Sequence, residues 1–138
     1  MQTIPTIGQP WPAQGGIYIG SRLKGGEVHH IIIPGGVETD VLAVEFDDAA
    51  KAVSATGEIN GHSDWRLPDQ EDLMLTYVNA RQHFKTDGDW LETAYWTSTP
   101  YGECLAWAVH FSRGDVDYWL RSHEFRVRPF RSIIDSAL

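Results

Sequence analysis

Residues 63–78 have the sequence SDWRLPDQEDLMLTYV, which combines a core-forming motif with the start of a helix. Asp69 is a residue type that caps helix N-termini, and Pro68 pre-sets the backbone just before it. We therefore predict a helix that begins around Pro68 and ends near Phe84. The apolar side chains recur at helical spacing and predict one buried face, made of Leu73, Met74, Tyr77 and Val78.

The SDWRLP motif itself predicts both core contacts and an ion pair. Trp65 and Leu67 are expected to enter the core. Arg66 carries a planar guanidinium that satisfies several acceptors at once, so we expect it to pair with a carboxylate or with backbone carbonyls. A similar structural role is expected for the C-terminal arginines, with ligand contact as the alternative; these are Arg126, Arg128 and Arg131.

N-terminal to this motif, the pattern predicts a β-hairpin. Residues 17–19 and 28–33 are β-type runs, and the paired glycines Gly25 and Gly26 lie between them. Residues 1–14 are rich in proline and glutamine and predict an irregular lead-in. The hairpin is therefore expected to open a single domain over residues 15–138.

The remaining elements predict an α+β domain. A short helix is predicted to end at Gly57, with acidic residues in its first turn and an apolar face of Phe46, Ala49, Ala50 and Val53. The C-terminal third predicts a meander of strands at 95–99, 106–111, 116–120 and 125–130.

Composition limits the possible functions. The chain has 138 residues, enough for one domain, and its formal net charge of -8 argues against a nucleic-acid backbone as partner. Its one cysteine, Cys104, excludes an intramolecular disulfide. The sequence shows no signal-peptide pattern and no window apolar enough for a membrane span. We expect a soluble protein, cytoplasmic or virion-associated, without membrane insertion.

Four segments occur in an order that resembles a known family. They are SDWRLP at 63–68, YWTST at 95–99, AWAVHFSRG at 106–114 and RVRPFR at 126–131. Together they resemble the Lcl C-terminal domain family, named for a collagen-like bacterial adhesin, over about residues 40–131. The resemblance implies a C-type-lectin-like fold, in which two helices flank a twisted, mostly antiparallel sheet. It also implies a binding function, and the first forty residues look like a phage or prophage variant.

The strongest candidate binding surface combines the turn at 100–103 with the strand at 115–123. Side chains of a strand alternate between two faces, and we expect one set to face inward: Val116, Tyr118 and Leu120. The other set and the turn then provide the candidate ligand-binding residues: Tyr101, Glu103, Asp117, Trp119, Arg121 and His123. An exposed tryptophan beside arginine, tyrosine and acids has the composition of an interface hot spot and also suits stacking on sugars. The alternative is that Trp119 covers the sheet edge or belongs to the core, with Asp117 and Arg121 as solvated charges.

Metal binding and catalysis are not expected. His29 and His30 are adjacent in a predicted strand, so their side chains point to opposite faces and do not easily share one ion. The run Asp87-Gly88-Asp89 lacks the remaining oxygen ligands of a calcium loop. Cys104 has no second cysteine with which to work. We predict a non-enzymatic protein without metal or cofactor.

Three functions remain open from the sequence. The first is a binding module, phage- or prophage-encoded, that recognises a glycan or a protein through its C-terminal hairpin surface. The second is a structural or assembly component of a virion or adhesin, in which the first forty residues mediate homo-oligomer contacts. The third is an acidic inhibitor of a host enzyme or defence system, because acidic surfaces attract basic partners.

Overall fold

The computed structural model describes residues 3–138, and within them the chain forms nine strands, two helices and four short 3-10 turns. The strands are β1 (Pro10–Trp11), β2 (Gly16–Lys24), β3 (Glu27–Ile33), β4 (Val41–Val44), β5 (Ala94–Tyr101), β6 (Leu105–His110), β7 (Asp115–Leu120), β8 (Phe125–Val127) and β9 (Arg131–Ile134). The helices are α1 (Phe46–Ala55) and α2 (Gln70–Ala80). The 3-10 turns are Pro12–Gln14, Val37–Thr39, Arg81–His83 and Asp135–Ala137. The fold is α+β, as predicted.

The predicted N-terminal hairpin is confirmed as the antiparallel pair β2–β3. Gly25 and Gly26 form its turn with φ of 59° and 82°, a conformation that glycine adopts without strain. The hairpin is the centre of a sheet with the order β1-β2-β3-β9. Its edge strand β1 lies in the segment expected to be irregular, where Trp11 and Gln14 are buried. Residues 1–2 of that segment lie outside the described residues.

A second sheet has the order β4-β8-β5-β6-β7. Its pairs are antiparallel except β5–β8, which is parallel where Tyr95 lies beside Arg126. β7 pairs with β6 on one side and forms an edge of the sheet on the other. This edge belongs to the region that the sequence nominated for binding.

The helices begin where the sequence predicted. Asp69 caps α2: its carboxylate accepts the Asp72 N–H at 2.9 Å, and the Asp72 carboxylate accepts the Asp69 N–H at 2.9 Å. One expected core residue on each helix was wrong, since Ala50 on α1 and Val78 on α2 are exposed. The other expected residues of each face are buried or pack against the core, so the two exposed positions lie at the margin of a buried face.

Two hydrophobic clusters cover the two faces of the second sheet. One contains Trp96 and Ala108 of the sheet together with Ala49 and Val53 of α1. The other contains Tyr95, Val109 and Phe111 of the sheet together with Leu73 and Ala80 of α2. Successive strand residues therefore alternate between the α1 side and the α2 side of this sheet. We call these two sides of the second sheet the α1 side and the α2 side.

The predicted pairing of the arginines with carboxylates is confirmed. Arg66 donates to Asp72, Arg126 and Arg128 donate to Asp40, and Arg131 donates to Asp64. The carboxylates that pair with the C-terminal arginines, Asp40 and Asp64, lie far away from them in sequence, whereas Asp72 lies six residues from Arg66. The arginines of the family-like motifs thus hold the loops onto the sheets.

Candidate functional site

Of the three residues of β7 that were expected to face the core, Val116 packs against the cluster on the α2 side as expected, whereas the other two are exposed. Tyr118 and Leu120 were expected to face the core, but their exposed fractions are 49% and 55%. Trp119 was expected to be exposed, but it is half-buried and packs against the cluster on the α1 side. The register explains this difference, because Trp119 lies opposite the buried Ala106 and Tyr118 lies opposite Trp107. The alternative interpretation of Trp119, as part of the core, is therefore the correct one.

Trp119 is held by a group of aromatic and imidazole rings. Its indole N–H donates to His110 Nε2 at 2.9 Å. Its ring meets Trp90 edge-on at 5.3 Å, Phe125 edge-on at 5.7 Å and His123 edge-on at 4.9 Å between centroids. Such edge-to-face contacts are favourable beyond the area that they bury. The tryptophan therefore acts as a packing residue between β7 and the rest of the α1 side.

His110 is neutral at the centre of this group. Its Nε2 accepts the Trp119 N–H, so Nδ1 carries the proton and donates to the Trp90 carbonyl at 2.8 Å. Burial lowers the pKa of His110 below its usual value of 6.5, since the charged imidazolium is disfavoured away from water. The bond to Trp90 and the carboxylates of Asp115 and Asp117 act in the opposite direction, but burial prevails.

This lowered pKa predicts an acid-sensitive contribution to stability. Because the unfolded chain binds a proton on His110 at a higher pH than the folded chain, this stability is present above about pH 6.5 and is lost as the pH falls toward the folded pKa. We expect the wild-type protein to lose more stability between about pH 7.5 and pH 5 than the His110→Gln variant. Urea unfolding at both pH values measures the difference, and equal losses would contradict it.

The other candidates on this strand are also engaged. Arg121 donates to the carbonyls of Leu105 at 3.2 Å and Gly102 at 2.6 Å, and to Asp47 of α1 at 3.0 Å. It therefore fastens the β5–β6 turn to α1. His123 stacks on Phe125 at 5.4 Å between ring centroids. These contacts assign Arg121 and His123 a structural role in addition to any contact with a ligand.

The α2 side of strands β5, β6 and β7 presents an exposed aromatic surface. Tyr101 stacks on Trp107 with centroids 5.1 Å apart and an interplanar angle of 23°. Tyr118 meets both rings edge-on, at 5.1 Å from Tyr101 and 5.5 Å from Trp107. Tyr101 is 48% exposed, similar to Tyr118, and Leu120 continues the surface along β7. We call these four residues, Tyr101, Trp107, Tyr118 and Leu120, the outer aromatic face.

Of the six predicted site residues, the structure brings only Tyr101 into the outer aromatic face. Glu103 lies exposed on the adjoining β5–β6 turn. Asp117 lies at the edge of β7, where its carboxylate accepts the Tyr118 N–H at 2.8 Å. Sequence reasoning missed Tyr118 and Leu120 because it assigned them to the core. Alternation separated the two sets correctly but did not indicate which set faces outward.

A second polar cluster was not predicted from the sequence. The Ser21 hydroxyl lies 2.6 Å from His30 Nδ1, and His30 Nε2 lies 2.7 Å from the Asp135 carboxylate. These residue types also occur in nucleophilic catalysis, but the Tyr18 hydroxyl bonds to Ser21 Oγ as well, and Trp11 packs edge-on against His30. Ser21 is thus held between two partners, and the chain of bonds fastens the C-terminal 3-10 turn to the N-terminal hairpin.

Within residues 3–138, no group of three or more His, Cys, Asp or Glu side chains is placed to hold a metal ion. Over the same residues, no helix has the length and apolar character needed to cross a membrane.

The chain matches a known protein family over most of its length. The profile of the Lcl C-terminal domain matches residues 29–131. The match begins in β3, earlier than the expected start near residue 40, and therefore includes part of the N-terminal hairpin. It ends at the first residue of β9. No match was found among curated proteins.

Proposed function

The chain belongs to the Lcl C-terminal domain family, and from this we propose that it is a non-enzymatic binding module that recognises a protein ligand through the outer aromatic face. The proposal includes a C-type-lectin-like arrangement, supported by the helices on both sides of a mostly antiparallel sheet. It also includes a phage or prophage source, which rests on the resemblance of the N-terminal residues that precede the family match to phage or prophage variants.

The observation that carries the proposal is the exposure of a pre-packed aromatic group. Tyr101 and Tyr118 leave about half of their surfaces in water although they contact each other and Trp107. Aromatic side chains that are already ordered lose little conformational entropy on binding, and they are enriched in interface hot spots. A rigid, exposed aromatic group is therefore suited to recognition.

The neighbouring side chains favour a protein over a glycan as the ligand. Sugar recognition combines an aromatic ring with polar groups that bond to hydroxyls, but Arg121 is engaged in bonds within the protein, and Asp117 lies on the side of β7 opposite the outer aromatic face. Leu120 extends the face with an apolar side chain instead. An aromatic and apolar centre with charged residues at its margin is typical of protein interfaces.

We expect removal of the two tyrosine rings to abolish ligand selection. The wild-type protein is screened in parallel against a displayed random-peptide library and a glycan array, beside the double variant Tyr101→Ala/Tyr118→Ala. We expect peptide enrichment by the wild type, and at least about tenfold weaker binding of the enriched peptides by the variant, which is the loss typical of hot-spot residues.

A control variant removes two apolar side chains that are more exposed than the tyrosines and lie elsewhere on the surface. Leu23 and Val78 are both 69% exposed, so Leu23→Ala/Val78→Ala tests for a general effect of surface hydrophobicity. The control should bind the enriched peptides as the wild type does. Enrichment of glycans alone, or equal binding by both double variants, would refute the proposal.

A further inference from the structure

We infer that the ligand of this module is an extended, basic segment of a partner protein that adds as a strand beside β7. Because this assignment names the ligand for the outer aromatic face, it rests on the proposed function. Addition of a strand to an exposed sheet edge is an established mode of peptide recognition, in which backbone bonds provide affinity and alternate side chains provide specificity.

The open edge of β7 presents backbone N–H groups that no neighbouring strand pairs, although the Leu120 carbonyl at this edge accepts the His123 N–H at 3.1 Å. Hydrogen-bonded and non-hydrogen-bonded pairs alternate along an antiparallel ladder. At one end the Arg121 N–H donates to the Cys104 carbonyl at 3.0 Å, which makes this pair a bonded one. Alternation from there directs the N–H groups of Leu120, Tyr118 and Val116 away from β6 and toward the edge. The bond from the Tyr118 N–H to the Asp117 side chain agrees with this direction.

The two faces of this edge differ in character and define the sequence of the incoming strand. Tyr118 and Leu120 project on the α2 side, where the outer aromatic face lies. Asp115 and Asp117 alternate with them and lie on the opposite side. An added strand would place every second residue beside each set. It therefore matches β7 best when apolar and basic residues alternate.

Charge complementarity favours a basic partner over a second copy of this chain. The chain carries a formal net charge of -8, so two copies repel each other on approach, whereas a basic segment is attracted. Asp115 is paired with Arg113 at 3.0 Å, but Asp117 has a partly exposed carboxylate at the edge itself.

Asp117 has a specific part in this mode of binding. In the free protein its carboxylate accepts a hydrogen bond from the Tyr118 N–H. This bond protects the edge from indiscriminate pairing with other strands. A lysine or arginine on the incoming strand attracts the carboxylate and releases the Tyr118 N–H for a backbone bond. Asp117 thus selects for basic strands and against neutral ones.

The test uses three synthetic octapeptides with blocked ends: alternating Lys-Val, alternating Glu-Val, and Lys-Val methylated on every second backbone nitrogen. Binding is followed by amide chemical shifts of the ¹⁵N-labelled full chain. We expect Lys-Val to shift the Tyr118 and Leu120 amides, and the other two peptides to bind at least about tenfold more weakly. Asp117→Asn should reduce the preference for Lys-Val over Glu-Val.

A pair of protein variants separates backbone pairing from side-chain contact. Leu120→Pro removes an N–H that faces the open edge, a position where proline is tolerated, and Leu120→Ala removes only the side chain. We expect the proline variant to lose at least about tenfold more affinity than the alanine variant. If the proline variant does not fold, the comparison of the methylated and unmethylated peptides still shows whether backbone hydrogen bonds contribute to binding.

The outcomes distinguish this inference from the proposed function. If methylated and unmethylated Lys-Val peptides bind equally but Tyr118→Ala abolishes both, the face binds ligands without strand addition and the inference is wrong. If the library-selected peptides bind the face while Lys-Val does not, or Glu-Val binds as well, the basic-strand assignment is wrong. A concentration-dependent dimer that Leu120→Pro dissociates would assign the edge to a second copy and would also overturn it.

Discussion

Replacement of Asp40 by alanine is expected to lower the free energy of unfolding by about 3–5 kcal/mol, the usual loss when one partner of a buried ion pair is removed. The side chains of Asp40 and Arg128 are both fully buried, with 2.6 Å between Arg128 Nε and Asp40 Oδ1. Asp40 also accepts from Arg126 and from the Tyr95 hydroxyl. Without the carboxylate, Arg128 keeps its charge in the core with only backbone carbonyls as acceptors.

Two controls determine whether the loss comes from this buried network. Asp40→Asn keeps the shape and one acceptor but removes the charge, so we expect a smaller loss than for alanine. Asp87→Ala removes an exposed carboxylate that pairs with Lys85 at 3.4 Å, and we expect no measurable change there. Urea unfolding measures all three variants. A loss within about 1 kcal/mol for Asp40→Ala would show that Arg128 finds other partners.

The features predicted correctly from the sequence are those set by neighbouring residues. The start of α2 depends on Asp69 and Asp72, which lie three residues apart and cap each other. The first hairpin depends on the local geometry of Gly25 and Gly26. In both cases the residues that cause the structure lie within a few positions of each other, so the pattern can be recognised directly in the sequence.

Features set by distant partners could not be predicted in the same way. The sequence indicated that Arg128 needs a carboxylate, but it did not indicate that Asp40 provides it. The bonds from His30 to Ser21 and Asp135 join the hairpin to the C-terminal turn, and nothing local marks them. β9 was not predicted, because the last predicted strand ended at residue 130, whereas β9 pairs with β3 in the other sheet.

The candidate site also combines a feature set by neighbouring residues, which was predictable, with one set by a distant partner, which was not. Period-two alternation on β7 separated Trp119 from Tyr118, but large apolar residues occur in both sets, so the pattern is symmetric. The choice between them depends on His110, which lies on β6 and receives the Trp119 N–H. The position of the surface was therefore predictable, whereas its outward-facing residues were not.

The inward position of Trp119 predicts that Trp119→Ala damages stability rather than binding. We expect the free energy of unfolding to fall by about 2–3 kcal/mol, at or below the lower end of the range for a buried tryptophan, because the ring is only partly buried. The loss combines the aromatic contacts with Trp90 and Phe125 and the bond to His110 Nε2. Trp119→Phe keeps much of the ring contact and should lose less. Urea unfolding measures both.

Tyr118→Ala is the matched comparison on the adjacent residue, and its expected behaviour is the opposite. Because Tyr118 is half exposed and lies on the outer aromatic face, its removal should leave the free energy of unfolding nearly unchanged and weaken binding of library-selected peptides at least about tenfold. Under conditions where it remains folded, Trp119→Ala should bind those peptides within about twofold of the wild type, since its ring faces the α1 side. If Trp119→Ala abolishes binding while its stability is unchanged, Trp119 contacts the ligand directly and the assignment of the two faces is wrong.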